Sequence, residues 1–143
     1  MPIRTIKLVI TSPFGMRTLK GKKRRMHKGV DLRSVDHTTW KDLDVIAPET
    51  CEVKRQGKDS YGNYFVVLEP ISNAYGYKEL KFIHIKKTNF GIGEVIQKGQ
   101  YISKTIIGGN SSALHLHFET WKDKAEDPVE YFNVMNINYM YKR

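Results

Sequence analysis

The chain has 143 residues, a net charge of +9 and 40% hydrophobic residues, which is one domain's worth of sequence and enough to bury a core unaided. Cys51 is the sole cysteine, so an intrachain disulfide is excluded and stability has to come from packing or a metal. No stretch approaches the roughly 20 apolar residues of a membrane span, and charge interrupts Met1-Pro2-Ile3-Arg4-Thr5-Ile6-Lys7 too early for a signal-peptide core. The expectation is a single soluble domain over residues 1–143, made in the cytoplasm and without repeats or low-complexity segments.

In chain order, Lys7 to Ile10 reads as a short apolar strand closed by the turn cluster Thr11-Ser12-Pro13-Phe14-Gly15. A basic segment follows, in which Arg17, Lys20, Lys22, Lys23, Arg24, Arg25 and Lys28 crowd around His27. Most such runs are solvated loops; the alternative is a patch for an anionic polymer, nucleic acid included. His27 and Asp31 stand four apart, a spacing that brings both to one face, and Gly29-Val30 between them argues for extended backbone. Arg33 to His37 reads as a polar loop with His37 exposed.

Val45-Ile46-Ala47-Pro48 enters a new strand, with the proline at an edge or bend, and Cys51 to Lys54 alternates before stopping at Gly57. Asp59 to Asn63 is a turn, and Tyr64-Phe65-Val66-Val67-Leu68 reads as a strand covered on both faces. Lys78 to Ile85 alternates, which predicts Leu80, Phe82 and His84 on one face. Gly93 to Gln100 holds two glycine turns, Tyr101 to Ile107 resumes a strand, and Gly108-Gly109-Asn110 makes the next turn. Asp127 reads as the N-cap of one helical turn with Pro128 at its first position. Regular strands split by turns, with no long amphipathic helix, predict an all-β sandwich or barrel-like fold.

The chemistry concentrates in Ser111-Ser112-Ala113-Leu114-His115-Leu116-His117-Phe118-Glu119. As a strand it puts His115 and His117 on one side and the apolar Leu116 and Phe118 on the other. A lone HxH is more often a pair of ordinary strand histidines. With His27 and Asp31 upstream, two stretches each offer imidazole or carboxylate, both ordinary Zn²⁺ ligands, and catalytic zinc commonly takes three protein ligands plus water.

Together the stretches Ser12-Pro13-Phe14-Gly15, His27-Lys28-Gly29-Val30-Asp31, Val45-Ile46-Ala47-Pro48, Tyr61-Gly62-Asn63, Phe82-Ile83-His84, Lys98-Gly99-Gln100, His115-Leu116-His117-Phe118-Glu119 and Asp127-Pro128 resemble the lysostaphin/LytM-type zinc endopeptidases of bacterial cell walls. They stand in family order and cover the chain from about residue 10 to 132. The resemblance implies a two-layer antiparallel β fold with a groove over one sheet, one short C-terminal helical turn, and one Zn²⁺. By position His27, Asp31 and His117 resemble the family's zinc ligands, while His115 and His84 resemble its two non-ligand catalytic histidines. The implied activity is hydrolysis of peptidoglycan cross-links: His115 takes a proton as general base, His84 stabilises the oxyanion or leaving amine, and the two roles are exchangeable on sequence grounds.

Where the family often has Thr-Gly-Pro before the HxH and Tyr-Ala before the upstream histidine, this chain has Ser112-Ala113-Leu114 and Phe82-Ile83, changes that bear on substrate fit. The implied partners are peptidoglycan stems or bridges, with anionic wall polymers gathered by the basic residues 17–28 and nucleic acid disfavoured. A leaderless wall hydrolase fits a phage lysin released through a holin, or a virion component. The contrasting readings are a catalytically silent wall-binding or activating module of the same fold, and a carrier-type β domain suggested by the turns of Gly93 to Gln100.

Overall fold

The computed structural model describes residues 1–18, 24–35, 42–106 and 114–142. Its strands are β1 (Leu8–Ser12), β2 (Gly15–Thr18), β3 (Arg24–His27), β4 (Val30–Ser34), β5 (Asp44–Ile46), β6 (Cys51–Lys58), β7 (Tyr64–Pro70), β8 (Glu79–Ile85), β9 (Val95–Ile96), β10 (Tyr101–Lys104), β11 (Leu116–Trp121), β12 (Ala125–Glu126) and β13 (Tyr139–Tyr141), with one helix, α1 (Pro128–Val134). The large sheet runs β13-β1-β4-β11-β8-β7-β6-β9, with β12 paired to β11; β5 pairs β10, and β2 pairs β3 as a hairpin. Among the described residues every strand pair is antiparallel except β1 with β13. The expected two-layer antiparallel β architecture is what forms.

One continuous core explains the layering. β4 alternates, with Val30, Leu32 and Ser34 buried and Asp31 and Arg33 less so, so one of its faces belongs to the core and the other to a groove. Val66, Val67 and Leu68 of β7 are all fully buried, as an unbroken apolar strand requires. Val45 of the small β5–β10 sheet and Ile102 join Val53, Leu68, Leu80 and Phe82 in the same cluster. Behind β11, α1 contributes Tyr131 and Phe132, and Phe132 stacks on Phe118 with centroids 5.8 Å apart. Each such ring adds about 1.5–3 kcal/mol by leaving water. Asp127 caps α1 as expected, accepting a hydrogen bond from the Val129 amide at 3.0 Å.

Several sequence expectations about the strands fail. Arg33 and Ser34 are strand rather than loop, because β4 needs partners for β1: Val9 pairs Arg33 and Leu8 pairs Ser34. Buried Ser34 is satisfied by the Thr5 hydroxyl at 2.6 Å, which lets a polar residue occupy a core position. Part of the basic segment is the β2–β3 hairpin rather than loop, and β6 continues past Gly57 to Lys58. Lys20, Lys22, Lys23, His37, Ile107, the Gly108-Gly109-Asn110 turn and Ser111-Ser112-Ala113 lie outside the described residues.

Candidate metal centre and its groove

Sheet register builds the first half of the site. His117 of β11 pairs directly with Asp31 of β4 on one side and with Ile83 of β8 on the other, so these side chains line one row across the open face. His27 arrives from the last position of β3, as the chain turns at Lys28-Gly29 out of the hairpin and into the large sheet. His27 and Asp31 thus converge by a change of sheet, not by sharing one extended run.

The facing donor atoms form a small triangle. His27 Nε2 lies 3.2 Å from His117 Nδ1 and 3.5 Å from Asp31 Oδ1, and His117 Nδ1 lies 3.1 Å from Asp31 Oδ1. A tetrahedral ion with bonds of about 2.05 Å has ligand–ligand edges of about 3.3 Å. The chemistry and spacing of this donor set therefore fit zinc. The remote ring nitrogens are tied down: His27 Nδ1 donates to the Pro13 carbonyl at 2.8 Å, and His117 Nε2 meets Glu119 Oε2 at 2.8 Å. Glu119 Oε1 in turn accepts from Trp121 Nε1 at 2.8 Å. Such outer partners fix which nitrogen points inward.

Gly29 is needed for this closeness. A Cβ there would collide with the Phe118 carbonyl oxygen and sit 2.8 Å from Glu119 Cγ and 3.0 Å from His117 Nε2. The chain passes directly beneath the histidine–carboxylate pair, where only hydrogen fits.

His84 and His115 complete the groove, by different routes. His115 immediately precedes β11 and places Nε2 3.5 Å from Asp31 Oδ1. His84 sits in β8, and there the expected shared face with Leu80 and Phe82 fails. Phe65 pairs Ile83 while Tyr64 pairs Ile85, so His84 is an extra residue, a β-bulge with φ of 70°. The bulge returns Ile85 to the core, fully buried, and turns His84 into the groove. Its ring lies 5.2 Å from that of His115 and 6.3 Å from that of His117, and its Nδ1 lies 3.1 Å from Asn63 Oδ1.

The electrostatics divide the histidines. Burial works against a charged His117, but hydrogen bonds to Asp31 and Glu119 outweigh it and push its pKa up to about 9. Asp31 is held well below the usual carboxylate range: burial would raise it, and the bonds to His117 and His27 overcome that. Glu119 is likewise lowered against burial by His117 and Trp121. A proton on His117 supplies the positive charge that a cation would bring to the same carboxylates. His84 goes the other way, lowered to about 4 by burial and then by His115 and His117.

The structure brings His27, Asp31, His84, His115 and His117 into one groove of about 450 Å³, with Arg25, Lys28 and Tyr61 also lining it. Glu119, Asn63 and Asp59 also line it, while Trp121 and the Pro13 carbonyl hold Glu119 and His27 from outside it; none of these was assigned a role from sequence. Period-two parity with His117 along β11 was a signal for Glu119 and Trp121; only the fold reveals the others. A larger cavity of about 610 Å³, lined by Glu49, Ile71, Tyr75 and Val134 among others, contains no histidine, and its Glu49 is bonded to Tyr131. Size does not mark the chemistry here.

A family model described as Peptidase family M23 matches residues 25–130. No match is found among curated protein sequences. Among solved structures, a chain of the SpoIIIAH–SpoIIQ complex aligns with a TM-score of 0.70 at 24% identity, covering 92% of this chain and 97% of that one. The catalytic domain of the antimicrobial peptidase lysostaphin from Staphylococcus simulans aligns at 0.67 and 24% identity, over 90% of this chain and 92% of that one. A catalytic-domain variant of the prophage-encoded M23 protein EnpA from Enterococcus faecalis aligns at 0.63 and 20% identity, over 87% and 91%.

Proposed function

This chain belongs to peptidase family M23, and from that premise we propose that it is a zinc-dependent endopeptidase cleaving the peptide cross-links of bacterial peptidoglycan. The observation that carries the proposal is the triangle of His27 Nε2, Asp31 Oδ1 and His117 Nδ1, with edges of 3.1 to 3.5 Å and both remote imidazole nitrogens anchored elsewhere. These three residues hold the metal. When bound, zinc supplies a Lewis acid for the scissile carbonyl and lowers the pKa of a water to about 7. His115 and His84, on the open side of the triangle, divide the proton transfer and the hydrogen bonding to the developing charge. Glu119 keeps His117 oriented. Arg25 and Lys28, which line the groove, belong to a basic segment that would gather anionic wall polymers.

No described helix is long and apolar enough to cross a membrane. The setting we propose is action on the wall after holin-dependent release or from a virion, in keeping with the fold of a prophage-encoded relative. The test is solubilisation of purified sacculi by native protein, by chelator-stripped protein and by stripped protein given zinc. Release that requires zinc supports the peptidase. A second reading, a silent wall-binding or activating module, draws on the likeness to a chain of the SpoIIIAH–SpoIIQ complex. One equivalent of zinc bound with no release from any wall type favours that module.

A further inference from the structure

Which histidine takes the proton is decided by groups outside the metal triangle. We infer that Asp59 and Asn63 are positioning residues that fix His84 as the Nδ1–H tautomer, so that its Nε2 presents a lone pair and His84 is the proton acceptor of the proposed peptidase reaction. This rests on the peptidase reading for its reaction, but its structural half stands on a chain of hydrogen bonds.

The chain starts at the turn before β7. Asp59 Oδ1 accepts from the backbone amides of Tyr61 and Asn63, both at 2.9 Å, and the Asp59 amide donates to the Asn63 carbonyl at 2.9 Å. Gly62, with φ of 85°, lets the chain close this loop. Asp59 Oδ2 then accepts from Asn63 Nδ2 at 3.3 Å. An ionised carboxylate has no hydrogen to give, so only the amide nitrogen of Asn63 can face it. The amide oxygen is thereby directed at His84 Nδ1, 3.1 Å away. That oxygen only accepts, so Nδ1 must carry the hydrogen, and in a neutral imidazole Nε2 is then bare.

Little can loosen the arrangement. Asn63 is 5% exposed, which leaves its amide little access to competing water. The bulge that carries His84 is held on its other side by the Ile106 amide, which donates to the His84 carbonyl at 2.9 Å. In the resulting step an O–H bond of the attacking water breaks as its proton passes to His84 Nε2. The oxygen's electron pair forms the bond to the scissile carbonyl carbon. The C–N bond then breaks, and its electron pair takes the proton from Nε2 to leave as a neutral amine. His115, whose Nε2 is 3.5 Å from Asp31 Oδ1, is left the hydrogen-bonding role.

The test is long-range ¹H–¹⁵N NMR of the histidine rings in zinc-supplied protein at neutral pH, alongside cleavage of cross-linked wall peptides. The expected wild-type spectrum has His84 Nδ1 pyrrole-like and Nε2 pyridine-like. Asn63→Ala should mix the tautomers and lower kcat about 10-fold or more, part of the roughly 10²–10⁴-fold a positioned proton-transfer group supplies, with KM and zinc content unchanged. The exchanged pair, Asp59→Asn with Asn63→Asp, keeps an acceptor on Nδ1 and a donor between the two side chains, and should restore both tautomer and rate. A pyrrole-like Nε2 in the wild type, or an Asn63→Ala protein with unaltered tautomer and kcat, overturns the proposal. The spectrum needs no substrate, so the expected tautomer in a protein that releases no wall would count against the peptidase reading alone.

Discussion

The two ends of the groove hold their histidines in opposite ways. At the metal end, His117 stands in regular β11, with Asp31 on one ring nitrogen and Glu119 on the other. At the far end, His84 stands on a bulge in a left-handed backbone conformation, and its ring partner is a neutral amide. Carboxylates around His117 favour the charged ring, whereas burial and neighbouring imidazoles favour a neutral His84. One region concentrates negative charge, as the proposed cation requires; the other favours a neutral imidazole beside it. The proposed reaction needs both within a few ångströms, and separate strands with separate partners allow it.

The most severe way to break the contrast is to remove the charge at the metal end. Asp31→Asn should lose zinc by atomic absorption and lower cleavage by about 10³-fold or more, since the several kcal/mol a Lewis acid contributes goes with the ion. His84→Ala should instead keep its zinc and lose about 10²–10⁴-fold in kcat/KM, the range of a proton-transfer group. A His84→Ala protein that lost its metal would show the two ends to be one unit. Glu119→Gln keeps the shape and removes the charge behind His117, and should weaken zinc about 10–100-fold in a competition titration. Gly29→Ala forces a methyl group under the same pair and should cost about 1–3 kcal/mol in denaturant unfolding.

A last effect sharpens the comparison through pH. In chelator-treated protein His117 has a pKa raised to about 9 from an unfolded value of about 6.5. Its contribution to stability is therefore complete below about 6.5 and is lost as pH rises through about 9. His84, lowered to about 4, has the opposite sign: the unfolded chain takes up a proton first, so stability falls as pH drops from about 6.5 through about 4. Unfolding midpoints across pH should decline on both sides. His84→Ala should remove the part of the acid-side decline between about pH 6.5 and 4, leaving the loss at more acid pH that the lowered Asp31 and Glu119 carboxylates bring.

How much of this was legible in the sequence follows the regularity of the backbone. The spacing of four between His27 and Asp31 predicted one shared extended run, whereas the chain changes sheet between them. Period-two alternation in β11 put His117 on the groove face, because the strand is regular there. The same rule misplaced His84, since one inserted residue in β8 reverses the parity, and nothing in Phe82-Ile83-His84-Ile85 announces a bulge. Asp127 and Pro128 fixed the helix start because capping is a local interaction. β13 could not be anticipated: Tyr139-Met140-Tyr141 becomes a strand only because β1, over a hundred residues earlier, offers an edge.

That edge has a mechanical consequence. Leu8, Val9 and Ile10 pair with Tyr139, Met140 and Tyr141 in parallel, and the Lys142 amide adds a bond to the Ile10 carbonyl. A tension entering before Leu8 and leaving after Tyr141 would draw the two strands along each other, loading every bond of the ladder together rather than peeling them one by one. β1 is also the direct neighbour of β4, which bears Asp31. The pair works as a shear clasp, and a pull on the chain would be borne there before it could distort the strand that carries Asp31.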